Sequence, residues 1–233
     1  MAFKRMSGDS RRRQILDAAK QCFAQHGFAG TTTKKVATAA SISEGLLFRH
    51  FPTKAALHAE ILSEACEADP DLRRLLELEP SSETLVILVR EMVAHFLEIR
   101  SLPTREDEER LRLSFSSHLD DGEFARLLFE KIASLISPLF IASLERAIAT
   151  GDAVRVEARP IDLFWFVHHI LYSVALTRLP ETPSLDYPAD DVLARELNGF
   201  ILRALGVRAD FLAGHPDNAA SFSISSHLIP ESA

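Results

Sequence analysis

The 233-residue chain has little of what marks several common protein classes. Its two cysteines are too few for a disulfide framework, which favours a reducing compartment. No uninterrupted apolar run reaches the roughly 18 residues of a membrane-spanning helix. The basic N-terminus lacks the apolar segment of a signal peptide. With 47% hydrophobic and 25% charged residues, the composition indicates a globular protein of the cytoplasm, without a membrane partner.

Two further absences narrow the fold and the function. No segment alternates apolar and polar residues over a useful length, as a half-buried strand would. The sequence also lacks a nucleophile elbow, a glycine-rich phosphate loop, a recognisable pair of catalytic carboxylates and a cysteine–histidine signature. We therefore expect no enzyme, and a helical enzyme with an unrecognised site stays as an unfavoured alternative.

Helical periodicity runs through almost the whole chain, so the sequence predicts an all-α protein of about nine helices. Three short helices are expected near the N-terminus, at about 9–26, 33–39 and 43–50. Longer helices are expected at about 53–67, 83–100, 105–119, 124–150, 159–178 and 190–205, and the first of these could resume after Pro70 and run to Leu78. We predict an N-terminal domain over 1–57, a larger helical domain over 58–206 and a flexible tail over 207–233.

The charge is divided unevenly along the chain. Residues 1–57 carry ten Lys/Arg and three Asp/Glu, whereas the remainder carries 16 Lys/Arg and 30 Asp/Glu. The overall net charge of −7 therefore hides a basic module on an acidic body. A basic N-terminal module is typical of a nucleic-acid-binding protein, although a merely solvated basic face is the alternative.

Two short helices of this module follow each other closely. The apolar pattern stops at Ala40, resumes at Ser43 and ends at Phe51, which Pro52 follows. Ile42 is expected to point inward from the turn, and the hydroxyl of Ser43 to cap the next helix. This is the pattern of a helix-turn-helix, in which the second helix enters the major groove of DNA.

The stretch 27–62, "GFAGTTTKKVATAASISEGLLFRHFPTKAALHAEIL", resembles the DNA-binding domain of TetR-family transcriptional regulators. The resemblance lies in the glycine–aromatic end of helix one, the threonine run, the Val-Ala pair, the Ser-x-Gly opening, the aromatic-x-His-Phe closing and the lysine that follows. It covers about 50 residues, and the rest resembles the family only in being helical. The resemblance implies a homodimeric repressor whose C-terminal domain binds a small molecule and thereby releases a palindromic operator.

Ten residues of the motif are expected to contact DNA. They are Thr33, Lys34, Ser43, Glu44, Gly45, Leu46, Phe48, Arg49, His50 and Lys54. Thr33 and Lys34 start a helix, where free N–H groups favour a phosphate. His50 and Lys54 suit a second phosphate.

The remaining candidates belong to the groove-reading helix. Arg49 could pair with guanine and Leu46 could contact a thymine methyl. Glu44 could accept from cytosine or only complement the helix dipole, and the sequence leaves both roles open. Gly45 weakens the helix but lets the backbone approach DNA. Phe48 stands where the family often has tyrosine, so it loses a hydroxyl contact to phosphate.

Arg11, Arg12 and Arg13 have two interpretations. They could reach the DNA backbone, or they could form a disordered solubilising arm.

Nine aromatic, histidine or methionine residues of the predicted body are candidates for an apolar ligand pocket. They are Met92, His95, Phe96, Phe115, His118, Phe129, Trp165, His168 and Tyr172. Packing against the core or a second subunit is the alternative for each of them. No pair among His118, His168 and His169 has the i, i+4 spacing of a helical metal site, so we predict no metal. We also expect no cofactor.

The predicted helix from Ile161 to Leu176 is apolar nearly all round, which a monomer surface would not tolerate. The helix at 190–205 has an apolar stripe of Leu193, Leu197, Phe200 and Ile201. Together the two helices are expected to build a four-helix dimer interface, where the family resemblance also places one. The alternative to a ligand-responsive regulator is a helical nucleic-acid or protein interaction module without a ligand.

Overall fold

The computed structural model describes residues 7–101 and 105–214, with side chains for all of them except 65–66, 98–101 and 105–110. This part of the protein is all-α, as predicted. Its helices are α1 (Gly8–Gly30), α2 (Thr33–Ala39), α3 (Glu44–His50), α4 (Lys54–Ala68), α5 (Pro70–Leu76), α6 (Ser82–Ser101), α7 (Arg105–Leu119), α8 (Glu123–Thr150), α9 (Pro160–Arg178), α10 (Asp190–Ala204) and α11 (Ala209–Gly214).

The described part therefore has two helices more than the nine predicted. Of these, α5 matches the resumption after Pro70 that the sequence left open, and α11 was not predicted. Asp69 is the N-cap of α5, and its carboxylate accepts hydrogen bonds from the first-turn N–H groups of Asp71 and Leu72. The first residues of the predicted tail are ordered in the fold. Val207 is buried and pairs with Ala153 in an isolated bridge. Residues 215–233, the rest of the predicted tail, lie outside the described residues.

The chain forms two compact units, and no single position in the sequence separates them. One unit comprises the chain up to Ala65 together with Leu113–Lys131, and the other comprises Cys66–Arg112 and the chain from Ile132 onward. The first unit is thus discontinuous in sequence, and α4, α7 and α8 contribute residues to both units. The functional boundary at residue 57 stays a prediction.

The core of the first unit holds α2 and α3 in place. Each of these helices has only seven residues, and such short helices are not stable alone. They bury Val36, Ala37 and Leu47 against α1 and α4. The remaining members of this core are Ile15, Leu16, Ala18, Ala19, Cys22, Phe23, Ala40, Phe51, Leu57 and Ile61.

The core of the second unit is built on α6, which packs against both α9 and α10. Phe140 and Phe164 are completely buried, and their rings meet edge-on with centroids 5.5 Å apart. Buried Arg178 at the end of α9 forms a salt bridge to Asp190 at the start of α10, which joins the two helices across their connection.

The helix α8 is long and apolar enough to cross a membrane, a property that it shares with core helices of soluble proteins. Its apolar residues have packing partners here. Phe124 and Leu128 are buried in the first unit, and Phe140 and Leu144 belong to the core of the second. Part of its apolar surface is therefore buried in the two cores.

Candidate nucleic-acid interface and ligand pocket

The turn between α2 and α3 has the geometry that the sequence indicates. Ser41 adopts a left-handed φ of 52°, which lets the chain reverse within three residues. The N–H of Ile42 then donates to the carbonyl of Ala37 at 2.9 Å, and the half-buried side chain of Ile42 packs on the core. From α1, the side-chain amide of Gln14 donates to the carbonyl of Ala40 at 2.9 Å. The turn is thus held by a hydrogen bond from α1 as well as by its own backbone hydrogen bond.

The start of α2 is built by three consecutive threonines with different roles. Thr31 is buried, and its hydroxyl lies 2.9 Å and 2.8 Å from the carbonyl oxygens of Cys22 and Gly27. Thr32 is the cap, because its hydroxyl accepts from the N–H of Lys35. Thr33 is the first residue of the helix and is half-buried.

The carboxylate of Glu44 joins the start of α3 to the start of α2. Its Oε1 accepts a hydrogen bond from the hydroxyl of Thr33 at 2.5 Å. Neither role that the sequence left open for Glu44 includes this contact. No local signal in the sequence announces it, because it depends on how closely two separate helices approach each other.

The outer face of α3 is open to solvent, as the motif predicts. Ser43 caps the helix, with its hydroxyl accepting from the N–H of Leu46, and only Leu47 is fully buried. Three of the candidates, Gly45, Phe48 and Arg49, are exposed, and Leu46 and His50 are half-buried. A Cβ added at Gly45 would meet no atom within 4 Å, so the packing of the described residues does not require a glycine there.

The amine of Lys54 is tied to the connection between α1 and α2. Its Nζ donates to the carbonyls of Phe28 at 2.8 Å and Thr31 at 3.1 Å, and it lies 4.0 Å from the centroid of the Phe28 ring. Partial burial lowers the pKa of Lys54. Lys34 is exposed, in contrast. The phosphate role of Lys54 stays a prediction, and the structure adds a local anchoring contact to it.

The N-terminal arginines lie in α1, and Arg12 joins three elements. Its Nη2 donates to Glu60 at 2.6 Å, its Nη1 donates to the carbonyl of His50 at 3.4 Å, and its guanidinium lies 4.3 Å from the ring of Phe51. Burial raises the pKa of Glu60, but the hydrogen bonds and charges of Arg12 and Lys131 outweigh it, so the pKa lies below its ordinary value. Neither sequence interpretation foresaw this bracing of α3 and α4.

The beginning of α8 belongs to the first unit and contacts the start of α4. The hydroxyl of Thr53 accepts from the N–H of Ala56 and donates to the carboxylate of Glu123, both at 3.0 Å. The ring of Phe124 lies 5.3 Å from that of His58 in α4 and 6.0 Å from that of Phe28. Residues far apart in sequence thus meet at the start of α4.

Six of the nine pocket candidates belong to the second unit, and rings connect most of them. His168 is central, with centroid distances of 5.3 Å to Phe96, 5.4 Å to Trp165 and 5.9 Å to Tyr172. His95 reaches the same cluster through Phe96, at 5.5 Å. The sixth candidate, Met92, is buried in the core that α6 forms.

The other three pocket candidates belong to the first unit. These are Phe115, His118 and Phe129. His118 is exposed, and its ring lies 5.4 Å from that of Phe129. The nine candidates are therefore divided between the two compact units, and a single pocket lined by all nine stays a prediction.

The predicted dimer face on α9 and α10 is only partly exposed. Phe166 and Phe200 are 57% and 55% exposed. Leu193 and Ile201, which the sequence placed on the interface stripe with Phe200, are buried in the core of their own unit. Helical periodicity groups these residues but does not say which side of the stripe meets the core.

Comparison with known proteins places this chain among bacterial regulators. The family described as bacterial regulatory proteins, tetR family, matches residues 15–61. An HTH-type transcriptional repressor of Mycobacterium tuberculosis is 33% identical over 147 residues, 63% of this chain and 65% of that protein. The repressor AcnR of Corynebacterium glutamicum is 32% identical over 141 residues, 60% of this chain and 68% of AcnR. This chain thus spans about two thirds of the length of these curated relatives.

A solved structure extends the likeness over the helical body. FadR of Thermus thermophilus, described as a TetR-family transcriptional repressor in complex with lauroyl-CoA, superposes with a TM-score of 0.59 at 26% identity. The superposition covers 83% of this chain and 92% of FadR. The similarity therefore includes most of both units.

Proposed function

Because the chain belongs to the TetR family of bacterial regulatory proteins, we propose that it is a cytoplasmic transcriptional repressor. It binds a palindromic operator as a homodimer and leaves the DNA when a small apolar or amphipathic molecule binds to its helical body. The observation that carries this proposal is the outer face of α3, which combines exposed Arg49 with a glycine at position 45 that its packing does not require.

The proposed DNA contacts divide by chemistry. Arg49 pairs with guanine, and Leu46 and Phe48 contact thymine methyl groups or sugars. Gly45 lets the backbone of α3 approach the groove. Thr33, Lys34, Ser43, His50 and Lys54 surround these residues and position the protein on phosphates.

The proposed dimer places Phe166 and Phe200 against a second copy. Large apolar side chains exposed to this degree favour burial in an interface. Two copies of α3 about 34–36 Å apart would read equivalent half-sites, so the operator is a palindrome.

The proposed effector site is the ring cluster around His168. An apolar pocket with a few polar groups is the usual site for a small molecule, and the cluster combines aromatic rings with imidazoles. The lauroyl-CoA bound to the similar protein FadR supports an amphipathic effector for this chain.

The proposed coupling runs through the start of α8, whose helix contributes to both units. Glu123 holds the cap residue of α4, and Phe124 contacts His58 on the same helix. A shift of α8 would therefore move α4 and change the spacing of the two copies of α3. By linkage, operator DNA must lower the affinity for the effector by the same factor by which the effector lowers the affinity for DNA.

Selection of bound duplexes from a random DNA pool tests this proposal. A regulator of the proposed kind enriches a palindrome, and its affinity falls steeply as salt rises. Recovery of no preferred duplex at low salt contradicts the proposal. A palindrome whose binding no candidate effector alters favours the interaction module without a ligand response.

A further inference from the structure

The single acidic residue between Thr31 and Lys54 is Glu44, in a stretch otherwise suited to DNA. Its carboxylate accepts from the hydroxyl of Thr33 at 2.5 Å, and both side chains are half-buried. This hydrogen bond gives the carboxylate a contact within the protein that the reading of a base does not require.

We propose that Glu44 is a positioning residue, which fixes α2 against the recognition helix and reads no base. The inference rests on the proposed DNA-binding function. It assigns to Glu44 a role that acts through Thr33, rather than through a direct contact with cytosine.

The geometry of the two helices explains why such a residue is useful. The turn at Ser41 and Ile42 fixes the end of α2 to the start of α3. The core contacts of Val36 and Ala37 lie in the middle of α2, and Thr33 at its start is outside that core. The bond from Thr33 to Glu44 adds a contact at this end of α2, opposite the turn, and so restricts its movement relative to α3.

The hydrogen bond also decides what Thr33 can offer to DNA. A threonine hydroxyl has one proton to donate. Since this proton goes to Glu44, the hydroxyl cannot also donate to a phosphate oxygen. Any phosphate contact of Thr33 then depends on its backbone N–H, whose place is set by the orientation of α2.

Two neutral substitutions separate the hydrogen bond from the charge. Glu44→Gln keeps an acceptor oxygen of similar shape, and Glu44→Ala removes it. We expect Glu44→Ala to bind the selected palindrome about fivefold more weakly per half-site than Glu44→Gln, the factor of one typical hydrogen bond. Both variants should keep the wild-type preference at every base pair, and both should show the same salt dependence because neither removes a Lys or Arg that neutralises a phosphate.

The control is the same pair of substitutions in a Thr33→Val background. There the hydroxyl is gone, so the glutamine and alanine variants should bind equally. The positioning role is overturned if the affinity difference between Glu44→Gln and Glu44→Ala persists in the Thr33→Val background. It is also overturned if these two variants bind equally when Thr33 is present. A changed preference at one base pair in either variant overturns it as well, because it would show that Glu44 reads that base.

This experiment distinguishes the inference from the proposed function. Wild-type protein that selects no duplex contradicts the function itself. Wild-type protein that selects a palindrome, with variants that fail the pattern above, leaves the function intact and refutes only the role of Glu44. Thermal unfolding of each variant identifies losses that come from an unfolded first unit.

Discussion

The groove-reading helix of the first unit and the ring cluster of the second keep candidate residues in opposite environments. In the first unit, Gly45, Phe48 and Arg49 are exposed on a helix of seven residues that is held from behind. In the second, His168 and Tyr172 are buried within a helix of 19 residues. A surface that meets DNA can be altered without touching the core, whereas a pocket shares its walls with the core. Binding and stability should therefore separate for the exposed residues of the first unit and not for the buried residues of the second.

The largest expected effect comes from a matched pair of substitutions. Phe164 is completely buried, with its ring 5.5 Å from that of Phe140 and 5.2 Å from that of Trp165. Phe164→Ala should lower the free energy of unfolding by about 3–5 kcal/mol, because it leaves a cavity. Phe48 is 43% exposed, and Phe48→Ala should change that free energy by no more than about 0.5 kcal/mol. Urea unfolding measures both, and equal losses would break the contrast between the units.

A second contrast lies within the first unit. Arg49→Ala should remove about 1–3 kcal/mol of discrimination at one base pair and leave stability unchanged, because its side chain is exposed. Lys54→Ala should weaken binding to all duplexes about equally, and it should also destabilise the unit because the carbonyls of Phe28 and Thr31 lose a donor. Binding to the selected and to random duplexes measures the difference. Equal losses on both for Arg49→Ala would refute its base-reading role.

The third prediction is that Gly45→Ala increases stability and weakens operator binding. Gly45→Ala should raise the free energy of unfolding by about 0.5–1 kcal/mol, since alanine favours the helix and its Cβ meets no atom. The same Cβ should weaken operator binding by keeping the backbone of α3 away from the groove. Thermal unfolding and a binding titration on one preparation check both signs. Unchanged binding would mean that α3 does not approach DNA at this glycine.

The smallest expected effect concerns pH. The pKa of Glu60 is depressed in the fold below its ordinary value of 4.5, so its ion pairs stabilise the protein above that pH and the contribution is lost as pH falls through the folded pKa. Glu60→Gln should therefore lower the free energy of unfolding by roughly 0.5 kcal/mol at pH 7. The difference between wild type and variant should shrink below pH 4.5. A difference that is the same at pH 7 and at low pH would contradict the electrostatic origin.

The sequence predicted features that depend on near neighbours. Ser43 as a cap and Ile42 as an inward residue follow from patterns of a few residues, and both are confirmed. The contact of Glu123 with Thr53 was missed, because the two residues are 70 positions apart and nothing local connects them. Periodicity likewise grouped Leu193 with Phe200 but could not say that only Phe200 is exposed.

The same limit applies to the pocket candidates. Aromatic residues on an apolar helix are consistent with both a ligand site and a packed core, since each needs apolar surface. The sequence therefore named His118 and His168 together, although they belong to different units and only His168 is buried. Only the contacts of the folded chain show which of these candidates are buried and to which unit each belongs.

The discontinuity of the first unit bears on the design of hybrid regulators. A hybrid made by joining residues 1–65 to a foreign body would omit Leu113–Lys131, and with it the side chains that meet His58, Thr53 and Glu60. Transplanting both pieces together would preserve those contacts. Exchange of operator specificity between such proteins therefore calls for two grafts rather than one.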